Sequence, residues 1–254
     1  AGGTALWNQA ANKTVLLTNL VLNPGTLATG LTITLNNGYG LRLDSDIALA
    51  AGNAFNVTSA YTASNVVQGL TLGGILSGST ALNKSGTGVV TLAGANTFSG
   101  SINITGGGIA VASDAVLGAG TNAVSLNGAP AVFRATSTFS TTRSFNFLNG
   151  TNTNNVIEVV GGETLTLAGT FGTANGFQKA DNGTLLIGTA NAITGNITIA
   201  AGALRITAPG ALGTTAGNTT VNNVGGAALQ LALGGGTLVE NLSLNNTGIN
   251  SGGS

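Results

Sequence analysis

One stretch of the chain occurs twice. Residues 82–118 read LNKSGTGVVTLAGANTFSGSINITGGGIAVASDAVLG, and residues 177–213 read FQKADNGTLLIGTANAITGNITIAAGALRITAPGALG. The two align without a gap, about 95 residues apart. Lys84 falls on Lys179, Gly88 on Gly183, Asn96 on Asn191 and Gly100 on Gly195. Ile102 and Ile104 fall on Ile197 and Ile199, and Gly107 on Gly202. LTLGG from Leu70 lies over LTLAG from Leu165, so the internal repeats cover approximately 70–118 and 165–213 of a single domain, 1–254. Self-similarity at fixed spacing marks a stacked-repeat architecture, and a unit this long holds several coils.

Inside and outside the repeat, apolar and polar residues alternate in short runs. Leu31-Thr32-Ile33-Thr34-Leu35, Leu41-Arg42-Leu43, Ile102-Asn103-Ile104, Leu165-Thr166-Leu167, Leu204-Arg205-Ile206 and Leu242-Ser243-Leu244 show the period of two of a half-buried strand. Val66-Val67 reads the same way. Gly, Asn or Asp punctuates nearly every gap, as at Asn23-Pro24-Gly25 and Asn36-Asn37-Gly38. No stretch keeps a helical apolar period for more than two turns. Residues 113–117 and 208–212 are expected to be loops of at most one helical turn each.

Short strands at close spacing fit a sandwich, a barrel or a β-solenoid. The gapless repeat, the brevity of the strands and an aromatic content of only 4 % favour the solenoid, whose lumen is narrow. At about 22 residues per coil the chain makes roughly 11 coils and a rod about 50–60 Å long. Asn-rich turns would then stack as amide ladders.

The pattern L-x-K-x-G-x-G-x-x-T-L-x-G-A-N-T-F-S-G-x-I-x-I-x-G-G at 82–107, closed by DAVLG at 114–118, resembles the autotransporter-associated β-strand repeat, also called the passenger-associated transport repeat. The second copy is diverged: Phe177 stands for Leu, Asp181 for Gly, and TANAITG for GANTFSG. The resemblance implies a right-handed parallel β-helix, secreted and displayed at the cell surface of a Gram-negative-type bacterium. It also implies a large parent protein. A C-terminal membrane barrel is not legible in this chain, which ends on Gly-Gly-Ser and begins without Met, so a processed product or fragment is expected.

Little side-chain chemistry is available. There is no His or Cys, which excludes His-dependent nucleophilic sites and disulfides. Charged residues are 6 % and the net charge is zero, so nucleic acid is an unsuitable partner. No run of about 18 apolar residues would span a membrane. Asp44 and Asp46 read either as a carboxylate pair for calcium or glycoside chemistry, or as turn formers, and the turn is preferred. Lys84 and Lys179 read either as a polymer-binding ladder or as outward charges that limit association, and the outward charge is preferred. Arg42, Arg134, Arg143 and Arg205 read as solvated. Trp7 reads as covering the end of a core. Sequons such as those at Asn12, Asn56, Asn103 and Asn196 follow from composition.

No catalytic, cofactor or metal residue is nominated. The expected role is a non-catalytic extracellular building block that associates with itself head to tail into a surface filament or matrix fibre. No polar cap closes either end, and a neutral surface favours association. A stalk or adhesin segment of a longer passenger is the alternative, and cell-surface or matrix polysaccharide is a further candidate partner. A polysaccharide-active β-helix enzyme ranks last, because clustered acids and bases are lacking.

Overall fold

The computed structural model describes residues 14–18, 26–35, 40–59, 69–222 and 226–245. Trp7, Asn12, Val66-Val67 and the turns at 23–25 and 36–38 lie outside the described residues. The described strands all pair in parallel and fall into four sheets of eleven, seven, five and three strands. The chain winds past three faces in turn. The long sheet forms one face, from Thr14–Leu17 to Leu242–Leu244. The seven-stranded sheet, which begins at Gly30–Leu35 and ends at Phe171–Ala174, forms the second. The three-stranded and five-stranded sheets share the third. The fold is a parallel β-solenoid, as the alternation and the repeat predict.

Eleven rungs of the long sheet enclose ten turns, slightly fewer than the roughly 11 coils expected. Ten register steps carry Thr14 to Ser243, about 23 residues per turn. Turns range from 19 residues, between Val89 and Gly108, to 29, between Leu41 and Leu70. The longer turns near the start lower the count. At about 4.8 Å per rung the ten steps span about 48 Å.

The core is a set of ladders parallel to the axis. Leu70, Val90, Ile109, Phe133, Ile157, Lys179, Ile199 and Val221 stand in one register on the long sheet. Phe55, Lys84, Ile104, Leu126 and Phe147 form a second on the seven-stranded sheet. All are buried. Burying each aliphatic or aromatic rung contributes about 1.5–3 kcal/mol. Phe147 stacks on Phe177 at 4.9 Å and meets Phe171 edge-on at 5.4 Å, filling the lumen where the seven-stranded sheet ends.

The two repeat copies do not stand above one another. The four strands of the first alternate between the seven-stranded and long sheets: Leu82–Ser85, Val89–Leu92, Ile102–Ile104 and Gly107–Val111. Their counterparts Phe177–Ala180, Thr184–Ile187, Ile197–Ile199 and Ala203–Ile206 alternate between the long and five-stranded sheets. Four turns lead from Leu82–Ser85 to Phe171–Ala174 on the same sheet, and the next strand begins the second copy. The sequence period is therefore four turns plus one face.

The outward side-chain contacts between rungs lie on strands of the seven-stranded sheet rather than in the turns expected to carry amide ladders. Asn103 donates to the Asn83 side-chain oxygen at 2.9 Å, and Asn146 to Ser125 Oγ at 3.1 Å. Asp114–Leu117 forms a short 3-10 turn. Among the described residues no helix is long and apolar enough to cross a membrane.

Candidate functional site

The most distinctive chemistry of the repeat points inward. Leu82 and Lys84 share the buried side of their strand, as Phe177 and Lys179 do of theirs, and Lys84 and Lys179 are 1 % and 0 % exposed. The outward placement expected for them is wrong. Period two counted from Leu82 puts Lys84 inside, so the signal was in the sequence; its charge argued the other way. Lys84 Nζ donates to the carbonyls of Ser85, Gly86 and Gly106 at 2.5, 3.0 and 3.0 Å. Lys179 Nζ donates to those of Ala180, Asp181 and Ala201 at 2.9, 2.7 and 3.1 Å. The three acceptors are equivalent in the two copies.

Each ammonium thus ties its own corner to the corner of the next coil. An ammonium has three donors and no acceptor, which matches three convergent carbonyls. Burial pulls the pKa of both lysines down to about 8; at Lys179 the charges of Asp181 and Glu158 oppose the fall. The corner itself needs a left-handed residue. Gly86 has φ 74°, and its counterpart Asp181 has φ 63°. Asp tolerates that region better than most side chains do, so the divergence leaves the corner intact.

A second device is the repeat asparagine. Asn96 accepts from the Leu76 N–H of the preceding coil at 2.7 Å and donates to the Val116 carbonyl of the next at 2.6 Å. Asn191 does the same between Phe171 N–H, at 3.2 Å, and the Ala211 carbonyl, at 3.4 Å. The side chain substitutes for a strand where the path is a loop.

Arg143 also departs from expectation. Its side chain is 1 % exposed and grips Asp114, with Nε to Oδ1 at 2.7 Å. It further donates to the carbonyls of Gly118 and Ala119, holding the loop between the 3-10 turn and the next strand. The reading of a solvated residue fails because these carbonyls converge on one guanidinium, a long-range fact that local sequence does not carry. Arg134 is half-buried and bridges Glu158 at 3.1 Å and Asp181 at 3.2 Å, again not simply solvated. Burial pushes the Glu158 carboxyl up, and Arg134 opposes this. Arg205 is exposed, as expected. Arg42 pairs with Asp44 at 2.7 Å, and Asp46 accepts from Ile75 N–H at 2.7 Å. Both aspartates thus have structural partners, in keeping with the turn reading. Among the described residues no three carboxylates, His or Cys converge as metal ligands.

Two surface features remain. A groove of about 300 Å3 runs over the outer face of the long sheet, floored by Val89, Gly108, Val132 and Val156 and edged by Arg134 and Glu158. At the end of the stack, Leu242 and Leu244 are 41 % and 66 % exposed, although their register partners Thr219 and Val221 are buried. At the opposite edge of the same sheet Leu16 and Leu17 are 52 % and 42 % exposed, while Leu43, opposite Leu17, is buried.

Comparison with known proteins agrees with this geometry. The passenger-associated-transport-repeat model matches residues 82–111 and 177–206, the two segments that carry the lysine and asparagine devices. The chain is similar to the adhesin BmaC autotransporter of Brucella suis biovar 1 (strain 1330), with 32 % identity over 131 residues, 51 % of this chain. It spans only 4 % of the length of that relative. No solved structure matches. The chain thus carries two passenger-associated transport repeats and is similar, over half of its length, to a short part of an autotransporter adhesin.

Proposed function

We propose that the chain is a non-catalytic stalk segment of a surface-displayed passenger, a stiff spacer that holds adhesive regions away from a Gram-negative-type cell. The unbroken eleven-rung sheet carries this reading. Its hydrogen bonds run along the axis, and its corners are stapled from coil to coil. Likeness to part of an autotransporter adhesin supports a role without catalysis. Electron microscopy of the purified chain tests it: a straight rod of about 48 Å is expected, and a flexible or globular particle would refute it. Turnover assays on uronic-acid polymers are expected to give none.

A second reading, self-association through the ends, is favoured by one observation. Leu17 and Leu244, on the first and last described strands of the long sheet, are exposed. Exposed apolar strands at a sheet edge recruit further strands. Light scattering at rising concentration is expected to show growth, and a constant monomer would refute this reading.

A further inference from the structure

We propose that the groove on the outer face of the long sheet binds a neutral, extended, β-1,4-linked glycan laid along the axis of the rod. The site is independent of the stalk and end-association readings, because every residue that lines it lies within 69–222, which the structure describes without a break. Its floor is one register column, Val89, Gly108, Val132 and Val156, continued by Gln178. A ligand seated there runs across the strands over four rung steps, about 19 Å. Gly108 adds no side chain between Val89 and Val132, which leaves the hollow; a Cβ there would lie 3.3 Å from Val132 Cβ. The turn Asn152–Asn154 walls one end, since Asn152 Nδ2 donates to Thr198 Oγ1, two rungs on, at 2.8 Å. The hollow holds about 300 Å3, the volume of about ten waters.

The chemistry of floor and rims selects the ligand. The strands beneath pair with one another, so the floor gives a ligand valine side chains and no backbone groups. A peptide laid there would press its own amides against valines, and each one left without a partner costs about 1–3 kcal/mol. An alkyl chain would strip water from the polar rims and return no hydrogen bond. A pyranose carries C–H groups on its ring faces and hydroxyls round its edge, which fits an apolar floor between polar walls. Arg134 and Glu158, joined at 3.1 Å, form one wall; Thr87 and Thr153 stand on the other, and Gln178 at the closed end. Arg donates, Glu accepts, and Gln and Thr do both, so hydroxyls meet partners of either sense. Arg134 also bridges Asp181, and Lys179 lies behind the sheet within reach of the same carboxylates. Two cations thus face two carboxylates, and no net positive charge is offered to a sulfated or uronic polymer. The floor is straight, and a β-1,4-linked chain is a ribbon whose step per ring is close to the rung spacing, whereas an α-1,4-linked chain coils away from it.

Ligand-observed saturation-transfer NMR on the full chain tests this, and it reads weak binding whatever the size of the particle. Cellohexaose and β-1,4-mannohexaose are expected to receive saturation, most strongly at ring C–H protons. Maltohexaose, a heparin hexasaccharide, decanoate and the peptide acetyl-Ala-Val-Ala-Val-Ala-amide are expected to bind at least about 10-fold more weakly. Val132→Gln, which raises a polar side chain from the floor, is expected to weaken the β-1,4 glycans at least about 10-fold. Gln178→Ala is expected to weaken them about 3- to 10-fold through one lost hydrogen bond, and it serves alone if circular dichroism shows Val132→Gln unfolded. Thr220→Ala, in the same outward column but beyond the groove, is expected to leave binding unchanged. No transfer to either β-1,4 hexasaccharide would overturn the assignment. So would tighter binding of any of the other four probes, binding undiminished in Gln178→Ala, or an equal loss in Thr220→Ala.

Discussion

Replacing Lys84 by methionine isolates what the buried ammonium contributes. The new side chain has similar length and fills the same column between Phe55 and Ile104. It has no donor for the carbonyls of Ser85, Gly86 and Gly106. A buried acceptor left without a partner costs about 1–3 kcal/mol, so three cost about 3–9 kcal/mol. Against this stands relief from burying the charge. A fall from the ordinary 10.5 to about 8 corresponds to about 3 kcal/mol at neutral pH. The difference is a loss of about 0–6 kcal/mol, with its upper part trimmed where the corner yields and water reaches some of the carbonyls. Urea unfolding followed by far-ultraviolet circular dichroism measures it, and amide exchange at Thr105, which donates to the Lys84 carbonyl at 2.8 Å, localises it. Lys179→Met is expected to behave alike. The two sites lie about 20 Å apart along the axis, so the losses add to within about 0.5 kcal/mol. A Lys84→Met variant more stable than the parent would refute the staple.

Other perturbations probe the same account. Because burial lowers the folded-state pKa of Lys84 and Lys179 to about 8, the unfolded chain binds those protons more tightly between about 8 and 10.5. Stability is therefore expected to rise with pH across that window and not below it, and the rise is expected to vanish in the double methionine variant. Gly107 has φ 60°, and a Cβ there would lie 2.2 Å from the Gly88 carbonyl, so Gly107→Ala is expected to cost more than about 2 kcal/mol. Gly120→Ala, with open space around it, is expected to change stability by less than about 0.5 kcal/mol in the same urea experiment. Asn96→Ala strands the Leu76 N–H and the Val116 carbonyl, with an expected loss of about 2–4 kcal/mol and faster exchange at Leu76.

The winding was legible because alternation is local. Each strand announces its inner face through residues two apart, and the duplicated segment announces stacking. The offset of the copies by one face was not legible, since turns of 19 to 29 residues hide where a face begins. Lys84 and Lys179 were misread because charge was set above position, although the alternation that placed Leu82 and Phe177 inside placed them inside too. Arg143 could not be read at all. Its partner Asp114 lies 29 residues away and has no counterpart in the second copy, where Pro209 stands.

A pair of introduced cysteines tests most directly whether each coil lies in register on the last. The chain has none of its own, and Asn83 and Asn103 face outward as register partners on adjacent rungs. The Asn83→Cys, Asn103→Cys variant is expected to close an intramolecular disulfide under mild oxidation. The Asn83→Cys, Ser125→Cys variant, two rungs apart, lies beyond disulfide reach and is expected to stay reduced. Equal bridging in both, or none in the first, would contradict the stacked parallel coils.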